Sequence, residues 1–183
     1  VIIALACVVV AGIGVNVTQN ISGEVIRTGD IHQSLRLDNA IVRVTDVRTG
    51  TAMAGQTDDD RYKTGGMILA VTLRVEAPGT KYTVGGDDGV SVQAGGRTYA
   101  AFGPNTSITA EAGFASTGDL LFEVDPNHIA GAYLELYRSE FIHVTPQKVH
   151  IRLGITQQNA AQWVAAAKGR TLQVGSASSE PLG

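Results

Sequence analysis

Hydrophobic and polar positions divide this chain into three stretches of different texture. Val1 to Val15 (VIIALACVVVAGIGV) is unbroken apolar sequence, and the first charged residue is Glu24. From Leu35 onward the pattern alternates. Leu35, Leu37, Ile41, Val42, Val44 and Val47 are interleaved with Arg36, Asp38, Arg43, Thr45 and Asp46, with the turn pair Asp38-Asn39 between them. A period of two is the signature of a half-buried strand, so this segment reads as two strands or one bent strand. Met67 to Val75 (MILAVTLRV) starts almost continuously apolar and predicts a strand buried on both faces. Shorter strands follow at Val90–Val92, Thr98–Phe102, Thr117–Val124, Ala132–Tyr137, Phe141–Val144, Val149–Leu153 and Thr171–Val174. They are separated by Gly95-Gly96, Gly103-Pro104-Asn105, Asp125-Pro126-Asn127 and Thr145-Pro146. Thr49 to Gly66 is polar and reads as a loop, and Asn16 to Gly29 as a linker or first edge strand.

One segment has a helical period instead. Ala160, Trp163, Val164 and Ala167 share a face of a helix near 157–168, with Thr156 as N-cap, Lys168 in the last turn and Gly169 at C′. The result is an all-β fold of the immunoglobulin-like β-sandwich type, with an N-terminal transmembrane helix and one short C-terminal helix. The expected organisation is an anchor over 1–20, a sandwich over 21–175 and a flexible polar tail over 176–183.

The apolar run sets the cellular context. Fifteen helical residues span about 22 Å, against about 30 Å of hydrocarbon, so a few upstream apolar residues would complete a crossing. Ala6-Cys7 resembles the end of a lipobox, but Ala4 stands where Leu is usual and Val8-Val9-Val10 continues the run past the cysteine. No small-x-small cleavage site closes the run as a signal peptide would require. An uncleaved signal anchor is the preferred reading, with the following domain on the extracytoplasmic side. Small residues in the run, Ala4, Ala6, Ala11, Gly12 and Gly14, would let a partner helix approach closely. The implied partner is an integral membrane protein.

Composition narrows the chemistry. A net charge of −3 argues against nucleic-acid binding, which needs a basic face. Cys7 is the single cysteine, so the rest of the chain has no disulfide staple. There is no G-x-S-x-G elbow and no glycine loop running from a strand into a helix. His143 and His150 stand without a cysteine nearby, and His32 and His128 lie in loop contexts, which is a poor zinc signature. The acidic candidates for a cation are Asp58, Asp59, Asp60, Asp87 and Asp88, which could act only if their loops converge at one end of the sandwich. Glu123 and Glu135 alternate outward on predicted strands, and a catalytic pair would require both to face one cleft. Trp163, the single tryptophan, is expected as a packing anchor, with contact to a partner as the sharper alternative. No cofactor is implied.

Several of these segments resemble a family of bacterial immunoglobulin-like ectodomains, often labelled telomeric-repeat-binding-factor-like. The resemblance lies in Leu35 to Val47 as opening strands, Gly66 to Val75 as the glycine-led central strand, and Gly118-Asp119-Leu120-Leu121-Phe122-Glu123-Val124 followed by Leu134-Glu135-Leu136 as a closing hairpin. Glu76-Ala77 stands where the family tends to place Asn, and the C-terminal helix lies outside its usual extent. The resemblance implies an extracytoplasmic adhesion, binding or accessory module, and the family has no established catalytic residues to carry over. Three functions follow in order: a non-enzymatic accessory subunit of an envelope membrane complex, an envelope module binding lipid, glycan or a divalent cation, and a hydrolase with a dispersed site.

Overall fold

The computed structural model describes residues 16–19, 25–54, 61–86, 89–137 and 147–183. In chain order the strands are β1 (Asn16–Gln19), β2 (Val25–Asp30), β3 (Leu35–Leu37), β4 (Ala40–Met53), β5 (Tyr62–Ala77), β6 (Tyr82–Gly85) and β7 (Val90–Ala94). After them come β8 (Arg97–Phe102), β9 (Ser107–Ala110), β10 (Phe114–Val124), β11 (Tyr133–Tyr137), β12 (Gln147–Arg152), β13 (Thr171–Leu172) and β14 (Ser178–Pro181). The helix α1 spans Ala160–Ala167. The hydrogen-bonded path runs β1-β2-β12-β11-β7-β8-β10-β5-β4-β13, with β3 on β4, β14 on β10, and β6 and β9 paired separately. Among the described strands, only β12–β2 and β13–β4 pair in parallel.

The path folds over at β8 into two layers. β8 pairs with β7 through Ala100 and Ser91, and with β10 through Phe102 and Leu121. Val90, Val92, Leu134, Leu136, Val149 and Ile151 of the first layer (β1 to β8 of the path) meet Val42, Val44, Leu69, Val71, Leu120 and Phe122 of the second in one core. Each such side chain contributes about 1.5–3 kcal/mol on full burial. Alternation on each strand therefore sends the intervening residues outward, which fixes the chemistry of both outer faces.

β5 is buried on both sides, as its apolar run predicts. Met67, Leu69, Val71, Leu73 and Val75 face the main core. Ile68 and Ala70 face the other way, where Leu172 covers them with Leu121, Met53, Phe102 and Val174. The cover is a C-terminal strap that crosses the second layer. Gly50 lets it lie close: a Cβ there would stand 2.7 Å from Leu172 Cγ and 2.8 Å from the Arg170 carbonyl oxygen. Asp38 takes a left-handed φ of 55°, as the two-residue turn between β3 and β4 requires.

Several expectations are corrected. The polar stretch from Thr49 is not wholly loop: β4 continues to Met53 and β5 begins at Tyr62, because the ladder pairs Ala52 with Lys63 and Met53 with Tyr62 regardless of polarity. β10 and β11 are not a hairpin. The one-turn 3-10 helix Pro126–His128 carries the chain between layers, so β10 pairs with β5 while β11 pairs with β7 and β12. The tail beyond Ser176 holds a strand, since β14 hydrogen-bonds to the edge of β10 at Phe114 to Thr117. α1 starts at Ala160 rather than near 157. Asn159 turns its amide back, accepting from Thr156 N at 2.7 Å and donating to the Gly154 carbonyl at 2.9 Å, and so holds 154–159 as a turn. Gly169 ends the helix with φ +70°, as expected for C′.

No helix among the described residues is long and apolar enough to cross a membrane. The run Val1–Val15, with Ala4, Ala6, Ala11, Gly12 and Gly14, lies outside the described residues. The chain is already in β1 at Asn16, inside the stretch assigned to the anchor.

Candidate binding face on the first layer

The outer face of the first layer is built from alternation alone. On β11 (YLELY), Leu134 and Leu136 turn inward at 0% exposure, so Tyr133, Glu135 and Tyr137 turn outward. Val149 and Ile151 turn inward on β12, leaving Lys148, His150 and Arg152 outside. Register then sets the neighbours. Glu135 lies opposite His150 on one side and Ser91 on the other, while Tyr133 lies opposite Arg152 and Gln93.

These side chains satisfy one another laterally. His150 Nε2 and Glu135 Oε2 are 2.8 Å apart, with the two side chains 21% and 16% exposed. The Tyr133 ring lies against the imidazole at 4.8 Å between centroids, tilted by 41°. Burial, helped by the Glu135 charge, holds the Tyr133 hydroxyl above its ordinary pKa. Gln93 donates to Ser91 Oγ at 3.3 Å and accepts from Thr98 Oγ1 at 2.8 Å. At the end of the face Arg152 forks onto Asp30 at 2.6 and 2.8 Å, and those hydrogen bonds hold the Asp30 carboxyl below its ordinary value.

Glu135 stands between Ser91 and His150 in the row, whereas a serine nucleophile needs the imidazole as its direct neighbour. The other outward acid, Glu123, sits on the outer face of the second layer, between Phe122 and Val124 of the core. It accepts from Tyr62 OH at 2.7 Å and from Thr64. Glu123 and Glu135 thus face away from each other across the whole sandwich and cannot flank one glycosidic bond.

Two further polar clusters brace the fold. Asp125 accepts from Asn127 N at 2.9 Å, from His128 Nδ1 at 2.8 Å and from Arg97. The backbone donor and His128 lead in lowering its carboxyl from the ordinary 3.8 to about 2. The second cluster lies beneath the strap. Arg48 Nη2 meets Asp119 Oδ1 at 2.6 Å, Thr72 donates to the same oxygen at 2.6 Å, and Arg48 Nη1 donates to the Gln173 carbonyl at 3.1 Å. Burial pushes the Asp119 carboxyl up, but the bonds from Arg48 and Thr72 outweigh it and the net shift is downward.

The residues singled out in the sequence fall as follows. Trp163 is half-buried against the core, with its carbonyl accepting from Thr49 Oγ1 at 3.2 Å, which is a packing position. Asp58, Asp59, Asp60, Asp87, Asp88 and His143 lie outside the described residues. No group of three or more potential metal ligands occurs among the described residues. The Glu135–His150 pair and the buried Asp119 went unseen in the sequence. Alternation could have placed the pair on one face, but only the register joins them.

No family model and no curated protein matches the chain. Among solved structures it is similar to a candidate lipoprotein of Bacillus subtilis (ycdA), at 18% identity over 72% of this chain and 41% of that one, with a TM-score of 0.49. It is also similar to an uncharacterized beta-sandwich protein of Clostridium difficile, at 7% identity over 67% of this chain and 92% of that one, with a TM-score of 0.36. The chain spans about two fifths of the lipoprotein's length. Both likenesses concern the path of the chain alone.

Proposed function

We propose that this chain is a non-enzymatic accessory module of a bacterial envelope membrane complex, an immunoglobulin-like sandwich that works by binding through the outer face of its first layer. The apolar run Val1–Val15 is the anchor, and it holds the sandwich on the extracytoplasmic side. Ala4, Ala6, Ala11, Gly12 and Gly14 give the anchor a surface on which a partner's transmembrane helix packs. The observation that carries this reading is the outer row Ser91–Glu135–His150 with Tyr133 and Tyr137. Within it His150 meets Glu135 at 2.8 Å, the Tyr133 ring lies against the imidazole, and Gln93 donates to Ser91 Oγ.

The test is recovery of the full chain from native membranes in mild detergent. A stoichiometric integral membrane protein is expected with it, lost when Gly12 and Gly14 are both replaced by Leu. A lone monomer would contradict the proposal.

A further inference from the structure

The C-terminal strap fills a strand position that the rest of the sheet leaves open. β5 lines one edge of β10 over its whole length, from Phe114 to Val124. The other edge is divided. β8 takes only Leu121 and Phe122, and β14 takes Phe114 to Thr117. With β14 removed, the edge from Phe114 to Leu120 has no partner strand among the described residues. A bare row of backbone donors and acceptors is a template for an extended segment that reaches it.

The strap is held on that face by few side chains. Leu172 fills the hollow over Ile68, Ala70 and Leu121, and beyond it no residue as far as Gly183 is buried. Arg48 Nη1 donates to the Gln173 carbonyl, Ser179 Oγ to the Ala115 carbonyl at 3.3 Å and Ser116 Oγ to Ser179 Oγ at 3.4 Å, while Glu180 meets Arg74. One buried side chain and a short exposed strand make a unit that opens before the two-layer core does. Each of these contacts joins strap to body, so the strap of a second copy makes the same set. A foreign strand would have to reproduce the leucine for the hollow and the acid for Arg74 at the same spacing. The joint is suited to the change: Lys168 and Gly169, between α1 and β13, are exposed, and Gly169 turns the chain there with φ +70°.

We infer that this chain exchanges its strap with a second copy, so that residues 170–183 of each chain seat on β4, β5 and β10 of the other. Only the turn at Lys168 and Gly169 has to straighten, and every strap contact is remade between the two chains. The exchange is reciprocal, because a one-way exchange leaves one β10 edge bare. Strap and β10 edge both belong to the second layer, so the exchange does not use the outer face of the first.

Cysteine pairing across the two strands tests it, in the full chain carrying Cys7→Ser. Ser116 and Ser179 lie directly opposite each other, about 4.5–5.5 Å apart at Cα and within disulfide reach. Chains with Ser116→Cys and chains with Ser179→Cys are mixed in detergent, incubated and oxidised, and the linked peptides are identified by mass. A link between chains from 116 to 179 is expected. It should be about tenfold or more above the link from 116 to 178 formed with Ser178→Cys, whose side chain points to the other face of the sheet. Leu172→Ala should speed its formation about threefold or more by loosening the strap, with thermal unfolding confirming that each variant folds. The inference is overturned if the link from 116 to 179 between chains does not exceed that slipped control. Closure of a chain carrying both cysteines within itself, in that case, places the strap on its own body alone.

Discussion

Single carboxylates set the acid response of this fold. Asp125, at about 2, binds its proton far less readily when folded than at the ordinary 3.8 of the unfolded chain. The stability linked to it is therefore complete above the unfolded value and is lost as pH falls through about 2. Asp30, Asp119 and Glu123 are shifted in the same direction, so all four act together. Thermal unfolding followed from pH 6 to pH 2 should show a falling midpoint below about pH 4, and Asp125→Asn should flatten that slope. An unchanged slope in the variant would remove Asp125 from the account. Asp119 is the costlier residue at neutral pH, because Asp119→Ala takes the carboxylate from Arg48 Nη2 and leaves only the more exposed Asp46 at 3.1 Å from its Nε. With Arg48 a quarter exposed, about 2 kcal/mol of destabilisation is expected in urea unfolding, and Asp119→Asn, which keeps the Thr72 bond, should lose less.

Strands and their covers decide how much of the fold the sequence discloses. Alternation places β3, β4, β5, β7 and β10 correctly because each buries one face or both, and burial writes itself into the period, whereas β8 has no buried residue and is legible only from the Gly95-Gly96 turn before it. β14 escapes because its four residues are all exposed and it is held through the backbone of the β10 edge, which leaves no side-chain pattern. The same limit hides the strap: MILAVTLRV announces a second covered face, but nothing in it says that Leu172 is the cover. Asp119 is concealed in turn by the apolar company of Leu120 to Phe122. Leu172→Ala should cost about 2–3 kcal/mol and raise amide exchange over 170–175 before the rest of the molecule opens. Gly50→Ala pushes a methyl against the Arg170 carbonyl and should cost about 1–3 kcal/mol in the same assay. If exchange rises uniformly over both layers in Leu172→Ala, the strap is not a separate unit.

At the scale of the whole molecule, two layers share one core and present two unlike outer surfaces. The outer face of the second layer is largely committed to its strap, through Leu172 over Ile68 and Ala70, Arg48 on the Gln173 carbonyl, and Arg74 on Glu180. The first layer carries the laterally satisfied row with its two tyrosines, and no described element packs a further layer on it. The chain enters that layer at its edge, where Asn16 of β1 pairs with Thr28, so a tether through Val1–Val15 would leave the interior strands β11 and β7 away from the point of attachment. The most direct test of binding through this face is co-sedimentation of the purified full chain with isolated cell envelopes. Three proteins are compared: the parent, a Tyr133→Ala/Tyr137→Ala variant, and Arg43→Ala on the opposite face, each with its unfolding midpoint checked. The account predicts that the parent and Arg43→Ala sediment alike while the double tyrosine variant stays in the supernatant, and equal sedimentation of all three would contradict it.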